Sequence, residues 1–250
     1  DPEMAVGCIE VKFLMNNLFL QGLHIDWDKI EEDSYLRNIE ALRELKDFSF
    51  DSPISFFVGE NGTGKSTLLE AIAVAYGFNP EGGTKNFNFS TYDDHSELHD
   101  AIRLSKGFNK PGWGYFLRAE SFFNVASKEE EYTYGNGDKL HYQSHGESFL
   151  AVAQNHFKAN GMYILDEPEA ALSPQRQLTF LLEIYNCVKE GSQFIIVTHS
   201  PILLGMPDAD IFTFDDGKIH KCNYEDTDSY QVTKMFIDNR EALLYRLFSE

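Results

Sequence analysis

The stretch Gly59-Glu60-Asn61-Gly62-Thr63-Gly64-Lys65-Ser66-Thr67 constrains this chain more than any other. It fits the pattern G-x-x-x-x-G-K-[ST] and follows the apolar run Ile54 to Val58. It also opens a segment in which Leu68, Leu69, Ile72 and Ala75 recur at helical spacing. A strand that turns through glycines into a helix forms a concave loop whose backbone N–H groups point inward. The helix start adds the positive end of its dipole. Such a loop is a cradle for phosphate. Gly59, Asn61, Gly62, Thr63 and Gly64 would line the wrap, with Thr67 at its end. Lys65 offers a point charge to β- and γ-phosphates, and Ser66 offers a hydroxyl to Mg²⁺.

A loop of this kind needs a sheet behind it. Apolar runs read as strands at Ile54 to Val58, Gly114 to Leu117, Met162 to Leu165, Phe194 to Thr198 and Ile211 to Phe214. They are too solidly apolar for a half-exposed sheet and suit a parallel sheet covered on both faces. Between them, Pro174 fits the first turn of a helix capped by Ser173 and ended by Gly191. Leu178, Leu181, Leu182, Tyr185 and Val188 are its expected buried stripe. Strands alternating with helices argue for an α/β fold. The part up to about Phe50 reads as mixed strands and loops. The polar stretch Gly77 to Pro111 reads as an insertion, and Tyr230 to Phe248 as two short helices.

Composition excludes several classes. The apolar runs reach no more than six residues, whereas a membrane-spanning helix needs about 20, so direct membrane insertion is not expected. No charged-then-apolar leader is visible, and the three residues ahead of Met4 are set aside. Cys8, Cys187 and Cys222 are odd in number and widely spaced, which fits neither a disulfide framework nor a zinc site. A reducing, cytoplasmic setting is expected. The net charge of -19 argues against general attraction to nucleic acid, although a local basic groove is compatible with it.

A second motif ends the apolar run Met162-Tyr163-Ile164-Leu165 in two carboxylates, Asp166 and Glu167. At a strand end beside the phosphate loop, Asp166 can hold Mg²⁺ and Glu167 can polarise an attacking water.

With these residues in hand, the chain resembles the ABC-type ATPases. The phosphate loop Gly59 to Ser66 comes first. Gln143-Ser144-His145-Gly146-Glu147-Ser148 follows and is similar to the family's LSGGQ signature, with Ser144 and Gly146 in the matching positions. Then come Asp166-Glu167, the loop Ala171-Leu172-Ser173, and Thr198-His199-Ser200, whose His199 matches the switch histidine. His145 and Glu147 depart from the signature. No plain Gln loop is present, and Glu120 in Leu117-Arg118-Ala119-Glu120-Ser121 stands in its place as a metal-corner candidate. The wording around Arg118, Ser144 and Asp166 looks closest to small stand-alone bacterial ATPases that resemble SMC and OLD heads more than transporter subunits.

The resemblance implies a P-loop NTPase fold: an ABC-type head with a mostly parallel central sheet and a helical signature-bearing subdomain. It implies one domain over 4–250, with 77–114 inserted and 115–160 bearing the signature. It implies ATP and Mg²⁺ as cofactors, and a head-to-tail homodimer closed over ATP, with Ser144 and Gly146 facing the partner's γ-phosphate. Glu167, His199 and Lys65 would act in hydrolysis, and an effector protein of unknown identity would receive the motion. Alternatives are the ATP-binding subunit of a membrane transporter and a nucleic-acid-associated head in repair or phage defence. Tyr35, Phe48 and Phe50 are candidates to stack on adenine, and Arg37 and Arg43 to meet phosphate from the side.

Overall fold

The computed structural model describes residues 18–84, 97–118 and 156–249. Strand β1 (Leu20–Ile25) pairs antiparallel with β2 (Asp47–Ser49). Between them lies the short helix α1 (Glu40–Arg43). Strand β3 (Ile54–Val58) leads through the glycine loop into α2 (Lys65–Tyr76). Then follow β4 (Gly83–Thr84), α3 (Leu98–Ala101), β5 (Ile102–Lys106) and β6 (Trp113–Leu117). After them come β7 (Gly161–Asp166), α4 (Pro174–Lys189), β8 (Gln193–Val197), α5 (Pro201–Leu204), β9 (Asp210–Thr213) and β10 (His220–Cys222). Helices α6 (Asp228–Asp238) and α7 (Arg240–Phe248) end the chain.

Among the described residues, seven strands form one sheet in the order β10-β9-β3-β8-β7-β6-β4, and three form a second, β2-β1-β5. In the large sheet β9, β3, β8, β7 and β6 run parallel, and only β10 and β4, at its two edges, run antiparallel. The small sheet is antiparallel throughout. The fold is α/β with a mostly parallel central sheet, as the solid apolar runs predict.

Those runs are solid because the large sheet is covered twice. Along β8, Ile195 and Val197 face a core shared with α2 and the small sheet, while Phe194 and Ile196 face a second core under α4. The same alternation separates Phe57 from Phe56 and Val58 on β3. Side chains alternate between faces, so a strand with two buried faces is mostly apolar, and its few polar residues, such as Ser55 on β3 and Gln193 on β8, are buried too.

A buried amide links the two sheets in addition to the shared core. Gln193 accepts from the Leu20 N–H at 2.9 Å and donates to the Leu20 carbonyl at 2.8 Å. The side chain thereby satisfies both backbone groups of a residue in the other sheet.

Three expectations change. First, α4 buries Phe180, Ile184, Cys187 and Val188, with Leu181 and Tyr185 at the flank. Leu178 and Leu182, placed in the stripe by their spacing, are each 57% exposed. Two overlapping apolar stripes run along this helix, and the sheet takes the one carrying Phe180, which packs 5.6 Å from the Phe157 ring. Ser173 does stand at the N-cap, but its side chain makes no cap hydrogen bond. Second, the stretch read as an insertion supplies β4 to the large sheet and β5 to the small one, and buries Leu98, Ala101 and Ile102. Third, Phe48 and Phe50 are core residues packed on each other at 4.9 Å, which removes them as base-stacking candidates. Tyr35 remains exposed. Arg37 spends its guanidinium on the carbonyls of Trp27, Ile30 and Glu31, so it does not reach toward phosphate.

Candidate functional site

The site lies where β3, β7, β8 and β9 end. Gly59 and Gly64 both have left-handed backbones, with φ of 136° and 98°. A Cβ at Gly64 would come within 2.7 Å of the Ile39 side chain, and one at Gly59 within 2.9 Å of the Asp215 carboxylate. These two glycines let the loop turn sharply and let neighbouring chain close on it. Lys65 is buried and folds back over the loop, donating to the Gly59 carbonyl at 2.7 Å and the Glu60 carbonyl at 2.6 Å. Thr63 adds a hydroxyl bond to the Glu60 carbonyl at 2.9 Å. Burial lowers the Lys65 pKa, and Asp215, Glu167, Asp166 and Glu60 oppose that fall.

The opposite wall is made of acids. Asp166, the last residue of β7, accepts from the Ser66 hydroxyl at 3.1 Å. Burial pushes its carboxyl up to about 7, against the opposing pull of the Ser66 bond. Glu167 follows with φ of 47°, a left-handed backbone on a non-glycine residue, while its N–H donates to the Val197 carbonyl at 2.9 Å. Such a conformation costs on the order of 1–3 kcal/mol and persists where surroundings enforce it. It turns the Glu167 carboxylate toward His199, with Oε1 3.7 Å from Nε2. That gap is wider than a hydrogen bond.

His199 is fixed through its backbone. Its N–H donates to Glu169 Oε1 at 2.6 Å. Beside it, the Ser200 N–H donates to the Thr198 hydroxyl, and the Ser200 hydroxyl donates to Gln177 on α4. Burial pushes the Glu169 carboxyl up, opposed by the bond from His199.

The residues suit Mg²⁺. Among the described residues no group of three or more His, Cys, Asp or Glu side chains could hold a metal. A hydroxyl and a carboxylate converging at 3.1 Å nonetheless form the donor set of an ion that binds through one or two protein oxygens and completes its shell with phosphate and water. Burial raises the Asp166 carboxyl, and a bound cation would offset that desolvation.

Of the expected site residues, the structure places Gly59, Asn61, Gly62, Thr63, Gly64, Lys65, Ser66 and Thr67 after β3, Asp166 and Glu167 at the end of β7, and His199 just past β8, all at one end of the parallel strands. Glu120, Ser144 and Gly146 lie outside the described residues. Two residues escaped the reading of the sequence. Glu169 sits within an acidic run that gives no sign of which carboxylate faces His199. Asp215 belongs to Phe214-Asp215-Asp216-Gly217, which reads as an ordinary turn.

A glycine loop clasped by its own lysine, with a hydroxyl–carboxylate pair at its foot and a parallel sheet behind, defines a P-loop nucleotide-binding protein. The family model described as "AAA domain" matches residues 35–161, just over half of the sequence, and the chain belongs to that family. A second AAA-domain model matches 148–205. The energy-coupling factor transporter ATP-binding protein EcfA of Methanosphaera stadtmanae is 28% identical, covering 75% of this chain and 75% of that protein. Among solved structures, the SMC head domain from Thermotoga maritima aligns with a TM-score of 0.46 at 16% identity, covering 82% of this chain and 99% of that one. The SmcHead bound to the C-winged helix domain of ScpA aligns with a TM-score of 0.43 at 14% identity, covering 72% and 93%. The family match and the order of the phosphate loop and acidic strand end place the chain among the AAA-domain P-loop proteins.

Proposed function

We propose that the chain binds ATP with Mg²⁺ and hydrolyses it, and that it does so as a cytoplasmic head-to-tail homodimer acting as a molecular switch. The observation that carries this reading is the approach of the loop and the acid wall at the Ser66–Asp166 bond, 3.1 Å long, with Glu167 and His199 directly beside it. The loop N–H groups and Lys65 would take the β- and γ-phosphates. Ser66 and Asp166 would hold Mg²⁺, with Glu120 a further candidate, and bound Mg²⁺ supplies positive charge to the phosphate oxygens. Glu167 would accept a proton from a water held by His199. That water's oxygen attacks the γ-phosphorus, the bond to the β-phosphate oxygen breaks, and ADP and phosphate leave.

One subunit's loop leaves a side of the γ-phosphate open, and Ser144 and Gly146 of a second copy would close it. Hydrolysis then removes the bridging group and favours the open state, a population shift set by differential binding. The whole of 4–250 would form one ATPase domain, with 115–160 bearing the signature. Service to a transporter is the second reading, favoured by the name of the 28% identical relative. Among the described residues no helix is long and apolar enough to cross a membrane.

Lys65→Ala should abolish nucleotide binding measured by titration. Glu167→Gln with ATP and Mg²⁺ should shift from monomer to dimer in sedimentation. A variant that stays monomeric while binding ATP would overturn the dimer. Stimulation of ATPase activity by DNA or RNA would favour the nucleic-acid alternative, and stable co-purification with a multi-span membrane protein the transporter one.

A further inference from the structure

Resting on the nucleotide-binding reading, we propose that Asp215, a residue outside the family motifs, is the positioning residue of the phosphate loop. Its carboxylate sets the first peptides of the loop so that Lys65 and the loop N–H groups converge on polyphosphate.

The argument begins with strand order. β9 lies beside β3, and the Phe214 N–H donates to the Val58 carbonyl at 2.9 Å, so the chain leaving β9 stays in step with the chain entering the loop. The next residue is Asp215. Its Oδ1 accepts from the Glu60 N–H at 2.9 Å. Its Oδ2 accepts from the Thr213 hydroxyl at 2.9 Å, and that hydroxyl in turn accepts from the Asp215 N–H at 3.2 Å. Both oxygens are engaged, so the carboxylate has one orientation.

Glu60 is gripped on both sides. Its N–H is held by Asp215, and its carbonyl accepts from the Lys65 ammonium at 2.6 Å. An anion and a cation thus bracket one residue of the loop, and Asp215 reaches Lys65 through it. Charge-assisted bonds of this kind are about twice as strong as neutral ones. The loop also has a gap shaped for the carboxylate. Gly59 turns with φ of 136°, and any Cβ there would lie 2.9 Å from Asp215 Oδ1.

Electrostatics makes the arrangement informative. A carboxylate beside a polyphosphate site repels the ligand, and water could have satisfied the Glu60 N–H. The carboxylate therefore has to contribute more through loop order than it costs through repulsion. The Asp215→Asn and Asp215→Ala variants separate these effects. Asparagine keeps an acceptor for Glu60 without the charge, whereas alanine removes both.

The experiment is titration of each variant with a fluorescent ATP analogue, ATPase kinetics, thermal melting, and amide hydrogen exchange over 55–67 without nucleotide. Asp215→Ala should weaken nucleotide binding about tenfold or more, the range for losing a bond to a charged group. It should raise KM more than it lowers kcat and speed exchange at the loop. Asp215→Asn should restore binding to within about threefold of the wild type and restore slow exchange. Unchanged or tighter binding in Asp215→Ala would overturn the proposal, because the carboxylate would then be neutral or merely repulsive. Equal loss in both variants accompanied by a large fall in melting temperature would also overturn it, by making the role purely structural. If the wild type binds no ATP, the functional reading falls, and the exchange comparison still decides whether Asp215 orders the loop.

Discussion

The two walls of the cleft are built on opposite principles. The phosphate-loop wall is mostly main chain: left-handed glycines, inward N–H groups and one lysine folded onto its own carbonyls. The acid wall is mostly side chains, Asp166, Glu167, Glu169 and His199, delivered by separate strand ends and joined by bonds across the sequence. A main-chain wall tolerates few changes in backbone geometry and many in side-chain chemistry, and a side-chain wall behaves in reverse. The contrast also explains where strain sits. On the first wall glycine carries it at little cost, whereas on the second Glu167 bears it without that freedom.

The comparison breaks most visibly at Glu167. Glu167→Gln keeps the shape and removes the proposed base, so single-turnover hydrolysis should slow by about 10²–10⁴-fold, the range for lost general base catalysis, with nucleotide affinity preserved. Loss of affinity equal to the loss of rate would mean that the residue binds rather than reacts. On the main-chain wall the expected result is the opposite. Gly64→Ala should lose about 1–3 kcal/mol of loop integrity, since its left-handed φ and the nearby Ile39 side chain both oppose a Cβ. Calorimetry should record weaker nucleotide binding, and any residual bound fraction should turn over at the normal rate.

Asp166 sharpens the comparison through pH. Its folded carboxyl titrates near 7, against an ordinary value of 3.8. Between those values the folded protein retains a proton that the unfolded chain has released, so this group makes stability fall as pH rises across the window and level off above it. Thermal melting from pH 4 to 8 should show that slope in the wild type, and Asp166→Asn should flatten it. The smallest effect is expected on α4. Leu182→Lys should change stability by no more than about 0.5 kcal/mol, because the side chain is already 57% exposed. A large loss in urea unfolding would return Leu182 to the buried stripe.

The main-chain wall was legible in the sequence because its determinants are contiguous. Glycines, lysine and serine at fixed spacing after an apolar run specify a local shape. The central strands were legible for a related reason: burial on both faces leaves few polar residues in the run. The positions of Asp166 and His199 followed from strand ends. Asp215 did not, because its role depends on β9 lying beside β3, a crossover between residues about 155 apart in sequence. The inward face of α4 was misread because Leu178 and Leu182 keep helical spacing as well as Phe180 and Ile184 do, and only the sheet decides between them. Glu169 was hidden among neighbouring acids whose directions are set by a 3₁₀ turn over Pro168–Ala171.

The amide of Gln193 has a mechanical consequence. It grips Leu20 of the antiparallel ribbon at the very start of β8, and β8 runs from that joint to Val197, directly ahead of Thr198 and His199. One strand thus carries the ribbon's anchor at its first residue and delivers the histidine just past its last.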